Sequence, residues 1–112
     1  MEDGRSELIS GTLDLLILKT LSMGVLHGYG IAQHIQKLSS DALRVEEGSL
    51  YPALQRMQAK GFVSSEWKRS PTGRQARYYK LTAVGRRQLG LQESSFLDSV
   101  AAIKRVLRQS ES

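Results

Sequence analysis

Cysteine is absent from this 112-residue chain. That excludes disulfides, thiolate nucleophiles and cysteine-bound metals together, and a reducing cytoplasm suits such a chain. Histidine occurs twice, as His27 and His34, with no carboxylate at ligand spacing, so the pair makes a poor metal site and reads as surface or turn histidine. Proline also occurs twice, and tryptophan once. No apolar run is long enough to span a bilayer: the longest, Leu13–Leu18, contains Asp14. The opening, Met1-Glu2-Asp3-Gly4-Arg5, lacks the charged-apolar-small pattern of a secretory leader. There is no nucleophile–base–acid set and no phosphate-cradling glycine loop, so neither an enzyme nor a cofactor is expected.

Acid is scarce in one region. Between Lys60 and Arg87 stand Lys60, Lys68, Arg69, Arg74, Arg77, Lys80, Arg86 and Arg87 against Glu66 alone, within a chain of net charge +5. Such clustering fits a phosphate backbone, although a solvated basic surface has the same composition. The length allows one domain around one core.

The stretch Glu47-Gly48-Ser49-Leu50-Tyr51-Pro52-Ala53-Leu54-Gln55-Arg56 reads as the opening of a helix. Ser49 is a capping type, and Pro52 is tolerated in a first turn, which predicts a start near Gly48. Leu50, Leu54 and Met57 face inward. Free N–H groups at such a start suit phosphate. Gly61 ends the helix.

Before it, a helix is predicted over residues 7–22. Ile9, Leu13, Leu16, Ile17 and Leu21 form one apolar face; Leu8, Leu15 and Leu18 form a second, for which a partner subunit is the natural cover. Residues 23–28 read as a turn. A second helix spans 29–38, with Ile31, Ile35 and Leu38 on one face, and Leu43-Arg44-Val45 reads as a short strand. After Gly61, residues 62–69 and 74–81 alternate with period two around the turn Ser70-Pro71-Thr72-Gly73, predicting a hairpin. Its Trp67 is read as an anchor in the core and not as a stacking platform. Arg77 either reaches outward or pairs with an acid such as Glu66. Thr82 caps a last helix running to about Gln109. There Leu89, Phe96, Val100, Ile103 and Leu107 repeat as a coiled-coil seam, with Glu93 its one polar position.

This order predicts a mainly α, α+β fold: a winged helix-turn-helix over residues 1–81 and a C-terminal dimerisation helix over 82–112. The helix opening at Gly48 would be the recognition helix and the hairpin the wing. Candidate DNA contacts are Ser49, Tyr51, Pro52, Gln55, Arg56 and Lys60 on the helix, with Arg56 at a phosphate or guanine and Gln55 at adenine or merely solvated. Lys68, Arg69, Arg74 and Arg77 of the wing face phosphate or the minor groove. Candidate dimer contacts are Leu8, Leu15, Leu18, Leu89, Phe96, Val100, Ile103 and Leu107. The other reading is a winged helix that binds protein without specific DNA binding.

His27-Gly28-Tyr29-Gly30-Ile31, then Glu47-Gly48-Ser49-Leu50-Tyr51-Pro52-Ala53-Leu54, Gly61, Trp67, Gly73-Arg74, Arg77-Tyr78-Tyr79-Lys80-Leu81-Thr82 and Gly85 together resemble the PadR family of bacterial transcriptional regulators. The resemblance spans about residues 11–89 and is similar to the short subfamily with a single C-terminal helix. It implies a homodimeric repressor on a palindromic operator in double-stranded DNA, with the first and last helices at the dimer interface. Some members also sense small, often aromatic molecules in a pore between subunits; here Phe96 is the only aromatic of the last helix, so an unidentified effector, or none, is left open.

Overall fold

Helix α1 (Gly4–Leu21) is the centre around which the other elements pack. The computed structural model describes residues 4–110, with side chains from Thr12 onward. After α1 come β1 (Leu26–His27), α2 (Gly28–Leu38), α3 (Glu47–Ala59), β2 (Val63–Arg69), β3 (Gln75–Leu81) and α4 (Ala83–Leu107). The three strands form one antiparallel sheet in the order β1-β3-β2. The fold is the expected mainly helical α+β winged helix-turn-helix with a long last helix.

Helix α1 touches α2, α3, α4 and β3, so its own subunit covers it on several sides. Leu13, Ile17, Leu18 and Leu21 are all buried. This corrects the expectation for Leu18, which has no exposed surface left for a partner. Leu89 is likewise buried, because the first turns of α4 lie against the core. Leu15 is partly buried against that core, and Leu8 and Ile9 lie outside the residues whose side chains are described. The core is completed by Ile31 and Ile35 of α2, Leu50, Ala53, Leu54 and Met57 of α3, and Val63, Tyr79 and Leu81 of the sheet.

Three local expectations change. The short strand is Leu26–His27, inside the segment read as a turn, and Leu43–Val45 is a loop. Two residues carry no usable periodicity; β1 exists because Leu26 pairs with Tyr79 and His27 with Tyr78 of a strand remote in sequence. Leu38 is exposed at the end of α2. Helix α3 begins at Glu47 with Glu46 in the capping position, so Pro52 lies in the second turn and leaves the Gly48 carbonyl without its usual helical donor.

Gly61 ends α3 as expected. Its φ of 80° lets the Phe62 N–H reach the Met57 carbonyl at 2.9 Å and its own N–H reach the Gln58 carbonyl at 3.0 Å, the paired closure typical of helix ends. The start of α4 is fastened to the same corner. The Thr82 side chain caps α4 by accepting from the Gly85 N–H at 3.0 Å, and its hydroxyl faces the carbonyls of Gly61 at 2.6 Å and Phe62 at 3.0 Å. The Thr82 N–H donates to the Phe62 carbonyl at 3.1 Å. A side chain at residue 85 would land on the Phe62 carbonyl oxygen. Gly85→Ala should therefore force α4 off this corner and lower stability by about 1–3 kcal/mol. A thermal melt checks this; an unchanged midpoint would show that the corner yields freely.

Candidate nucleic-acid interface

Successive α3 residues are about 100° apart around the helix. Leu50, Ala53, Leu54 and Met57 define the buried side. Gly48, Pro52, Gln55 and Ala59 therefore point outward, and all four are exposed; a Cβ built at Gly48 would meet nothing of the subunit. That leaves a bare strip of backbone and short side chains, with Gln55 as its one amide. Ser49 is exposed and does not cap the helix: its N–H bonds to the Glu46 carbonyl at 3.0 Å. Glu46 and Glu47 stand at the helix start, where their charge suits the helix dipole but repels phosphate. The N-terminus is therefore no open anion site, and contact with a phosphate falls to side chains.

The two flanks of α3 are engaged inside the subunit. On one, the Tyr51 ring lies over Gly28 at the start of α2, so closely that a Cβ on Gly28 would sit 2.7 Å from its Cε1. Tyr51 remains 40% exposed. Burial, then the negative charge of Glu47, pushes its hydroxyl pKa above the usual tyrosine range, so it is a neutral donor at physiological pH. On the other flank Arg56 is engaged through one terminal nitrogen, and its side chain stays 55% exposed. Its Nη2 lies 3.2 Å from Asp14 Oδ1 of α1, in a groove that also meets Gln88, Gln92 and Phe96 of α4. Lys60, at the far end of α3, is exposed on that same side.

The wing is the hairpin of β2 and β3, paired from Val63↔Leu81 out to Arg69↔Gln75. One face runs Val63, Ser65, Trp67 opposite Leu81, Tyr79, Arg77, and it passes from core to solvent along its length. Trp67 is 63% exposed, which overturns its reading as a core anchor: the indole lies beyond the reach of the core, with the Arg77 guanidinium 5.7 Å from its ring. Arg77 donates from Nε to Ser65 Oγ at 2.8 Å, and it does not pair with Glu66. Glu66 pairs instead with Lys68 at 3.3 Å, an exposed contact that salt screens. At the tip, a turn closed by Ser70 N–H to the Arg74 carbonyl at 2.7 Å displays Arg69 and Arg74 to solvent.

His27 has a role that its sequence context hid. Its Nδ1 accepts from the Gly30 N–H at 2.9 Å and so caps α2, a task that pattern reading assigns to Ser, Thr, Asp or Asn. Its ring stacks on Tyr29 and meets Tyr78 edge-on at 5.5 Å, while Lys68 Nζ sits 5.8 Å over Tyr78. The start of α2 and the wing are thus joined by rings.

Residues 17–91 match the family model described as the transcriptional regulator PadR-like family. The chain belongs to the PadR-like family. This PadR-like regulator is 28% identical to a PadR-like transcriptional regulator from Bacillus cereus, covering 93% of this chain and 99% of that one, with a TM-score of 0.79. A transcriptional regulator from Clostridium thermocellum shares the fold at a TM-score of 0.80 and 24% identity, covering 88% and 96% of the two chains. A transcriptional regulator of Mycobacterium tuberculosis is 44% identical over 54 residues, which is 48% of this chain and 50% of that protein. The protein is a transcriptional regulator and not an enzyme. No helix among the described residues is long and apolar enough to cross a membrane.

The Tyr51–Gly28 contact yields a direct expectation. Gly28→Ala should push the Tyr51 ring outward and loosen the α2–α3 junction, with a loss of about 1–3 kcal/mol. Urea unfolding of Gly28→Ala beside the double variant Gly28→Ala/Tyr51→Ala checks it, since removing the ring should recover part of the loss.

Proposed function

We propose that this PadR-like regulator is a homodimeric, cytoplasmic repressor that binds a palindromic operator in duplex DNA. The observation that carries the reading is the bare outward strip of α3, Gly48, Pro52 and Gln55, beside a wing that exposes Lys68, Arg69, Arg74 and Arg77. A short-sided helix with one amide suits the floor of a major groove, and cations beside it suit the flanking phosphates. Gln55 reads a base edge, Ser49 and the Tyr51 hydroxyl donate to the backbone, and the wing covers the adjoining minor groove. Residues 1–81 thus carry DNA contact. Residues 82–112 carry dimerisation, although the first turns of α4 belong to the core of the DNA-binding unit.

Support for the dimer is the apolar surface of α4. Leu91, Leu97, Ile103, Val106 and Leu107 are more than half exposed, and Phe96 is 37% exposed. Phe96, Ile103 and Leu107 share one side of this 25-residue helix, and exposed apolar surface of this kind is costly in water and favours a second copy as its cover. Two copies place the recognition helices about one helical turn of DNA apart and occlude a promoter sterically. A small-molecule effector would act by changing that spacing.

Selection of binding sites from random duplex DNA tests the reading. A palindromic site is expected, with affinity falling steeply as salt rises. Recovery of no preferred duplex would leave a protein-binding winged helix as the better account. For the dimer, Ile103→Asp places a charge on a position exposed in the single subunit, so it should spare the fold. It should elute as a monomer on a sizing column, and persistence of the dimer would remove α4 from the interface.

A further inference from the structure

Trp67 is the chain's only tryptophan, and it stands mostly in solvent on the basic wing. An exposed indole has an unfavourable apolar surface, and this one does not serve the core. Instead it faces Arg77 across the hairpin, in direct register. Arg77 is held from behind. Its Nε donates to Ser65 Oγ at 2.8 Å, and Ser65 Oγ lies 2.9 Å from Gln58 Oε1 of α3. A chain of contacts therefore runs from the recognition helix through Ser65 and Arg77 to Trp67. It uses only the Nε of Arg77, and the two terminal nitrogens make no hydrogen bond among the described residues. A guanidinium with its stem fixed, one face on an indole and its outer nitrogens open is pre-organised for a planar acceptor.

We propose that Trp67 is a DNA-contacting residue: its indole lies along a deoxyribose at the edge of the minor groove while Arg77, stacked on it, enters the groove. The inference rests on the DNA-binding reading above. The indole suits a sugar because both present apolar edges beside polar atoms. Arg77 suits a narrow A·T minor groove, where the negative potential is deepest. The neighbours Lys68, Arg69 and Arg74 point to the polyanion and disfavour an apolar protein surface, which would have to bury their charges. The link to Gln58 makes the wing's position depend on α3, so the two grooves are read as one rigid unit.

Because the chain holds one tryptophan, emission excited beyond the tyrosine absorption band reports on this residue alone. The wild-type protein is titrated with its selected duplex and followed in parallel by gel retardation. The expected result is a saturable change in Trp67 emission with the same midpoint as retardation. Trp67→Ala should bind about fivefold more weakly and Trp67→Phe within about twofold of wild type. Exchanging A·T for G·C pairs under the wing should weaken the wild type and leave Arg77→Ala indifferent. A retarded complex with unmoved emission, or Trp67→Ala binding as tightly as wild type, overturns the inference while DNA binding stands. Absence of any retarded complex overturns both. A thermal melt of Trp67→Ala separates lost contact from lost fold, and the wild-type titration decides the matter should that variant unfold.

Discussion

The Thr82 hydroxyl sits where the recognition helix has ended, the wing has closed and the last helix begins. It caps α4 and faces the carbonyls of Gly61 and Phe62 from the end of α3. Gly85 lets α4 press directly on the Phe62 carbonyl, where any side chain would collide. The angle at which α4 leaves the body follows from this corner. So does the placement of the wing, because β3 ends at Leu81, immediately before Thr82. An apolar α4 surface used for pairing would therefore be held in a fixed relation to α3. Few contacts connect so many elements at once.

The exposed side of α3 divides three ways. One flank rests on Gly28 through Tyr51, the other touches Asp14 through Arg56, and the strip between them is open. Each flank contact crosses to a different helix, while the buried Leu50, Ala53, Leu54 and Met57 fix the rotation of α3 about its axis. The exposed Arg56–Asp14 pair contributes little stability by itself, since solvent screens it. It lies where the recognition helix meets α1, within the groove that α4 lines. The wing is coupled to α3 by a separate polar link through Ser65 and Gln58.

Much of this was legible from residue pattern. The period of Leu50, Leu54 and Met57 marks the buried side of α3, Gly61 its end, and the alternation from Val63 to Leu81 a hairpin. The spacing of the motif around residues 47–54 and 77–82 resembles the family to which the chain belongs. Failures occurred where neighbours remote in sequence decide. Trp67 follows the strand alternation that buries Val63, yet the hairpin outruns the core before reaching it. Leu18 falls on a second apolar face by periodicity, yet four elements of its own subunit close around α1 and bury it.

The sequence by itself determined the order of elements, the concentration of positive charge on the wing and the apolar repeat of α4. Each is a property of neighbours a few residues apart, where periodicity and charge are read directly. Only the tertiary structure decided which cations are uncommitted, which aromatics are buried and which strand completes the sheet. Arg56 and Arg77 are the same residue type on candidate DNA-facing elements. One meets a carboxylate 42 positions away, while the other is braced by a serine and backed by an indole across the hairpin. That difference is set by the packing of α1 against α3 and of β2 against β3. The local pattern around Gly48–Arg56 therefore marked the recognition helix, and the fold selected which of its residues remain open to a partner.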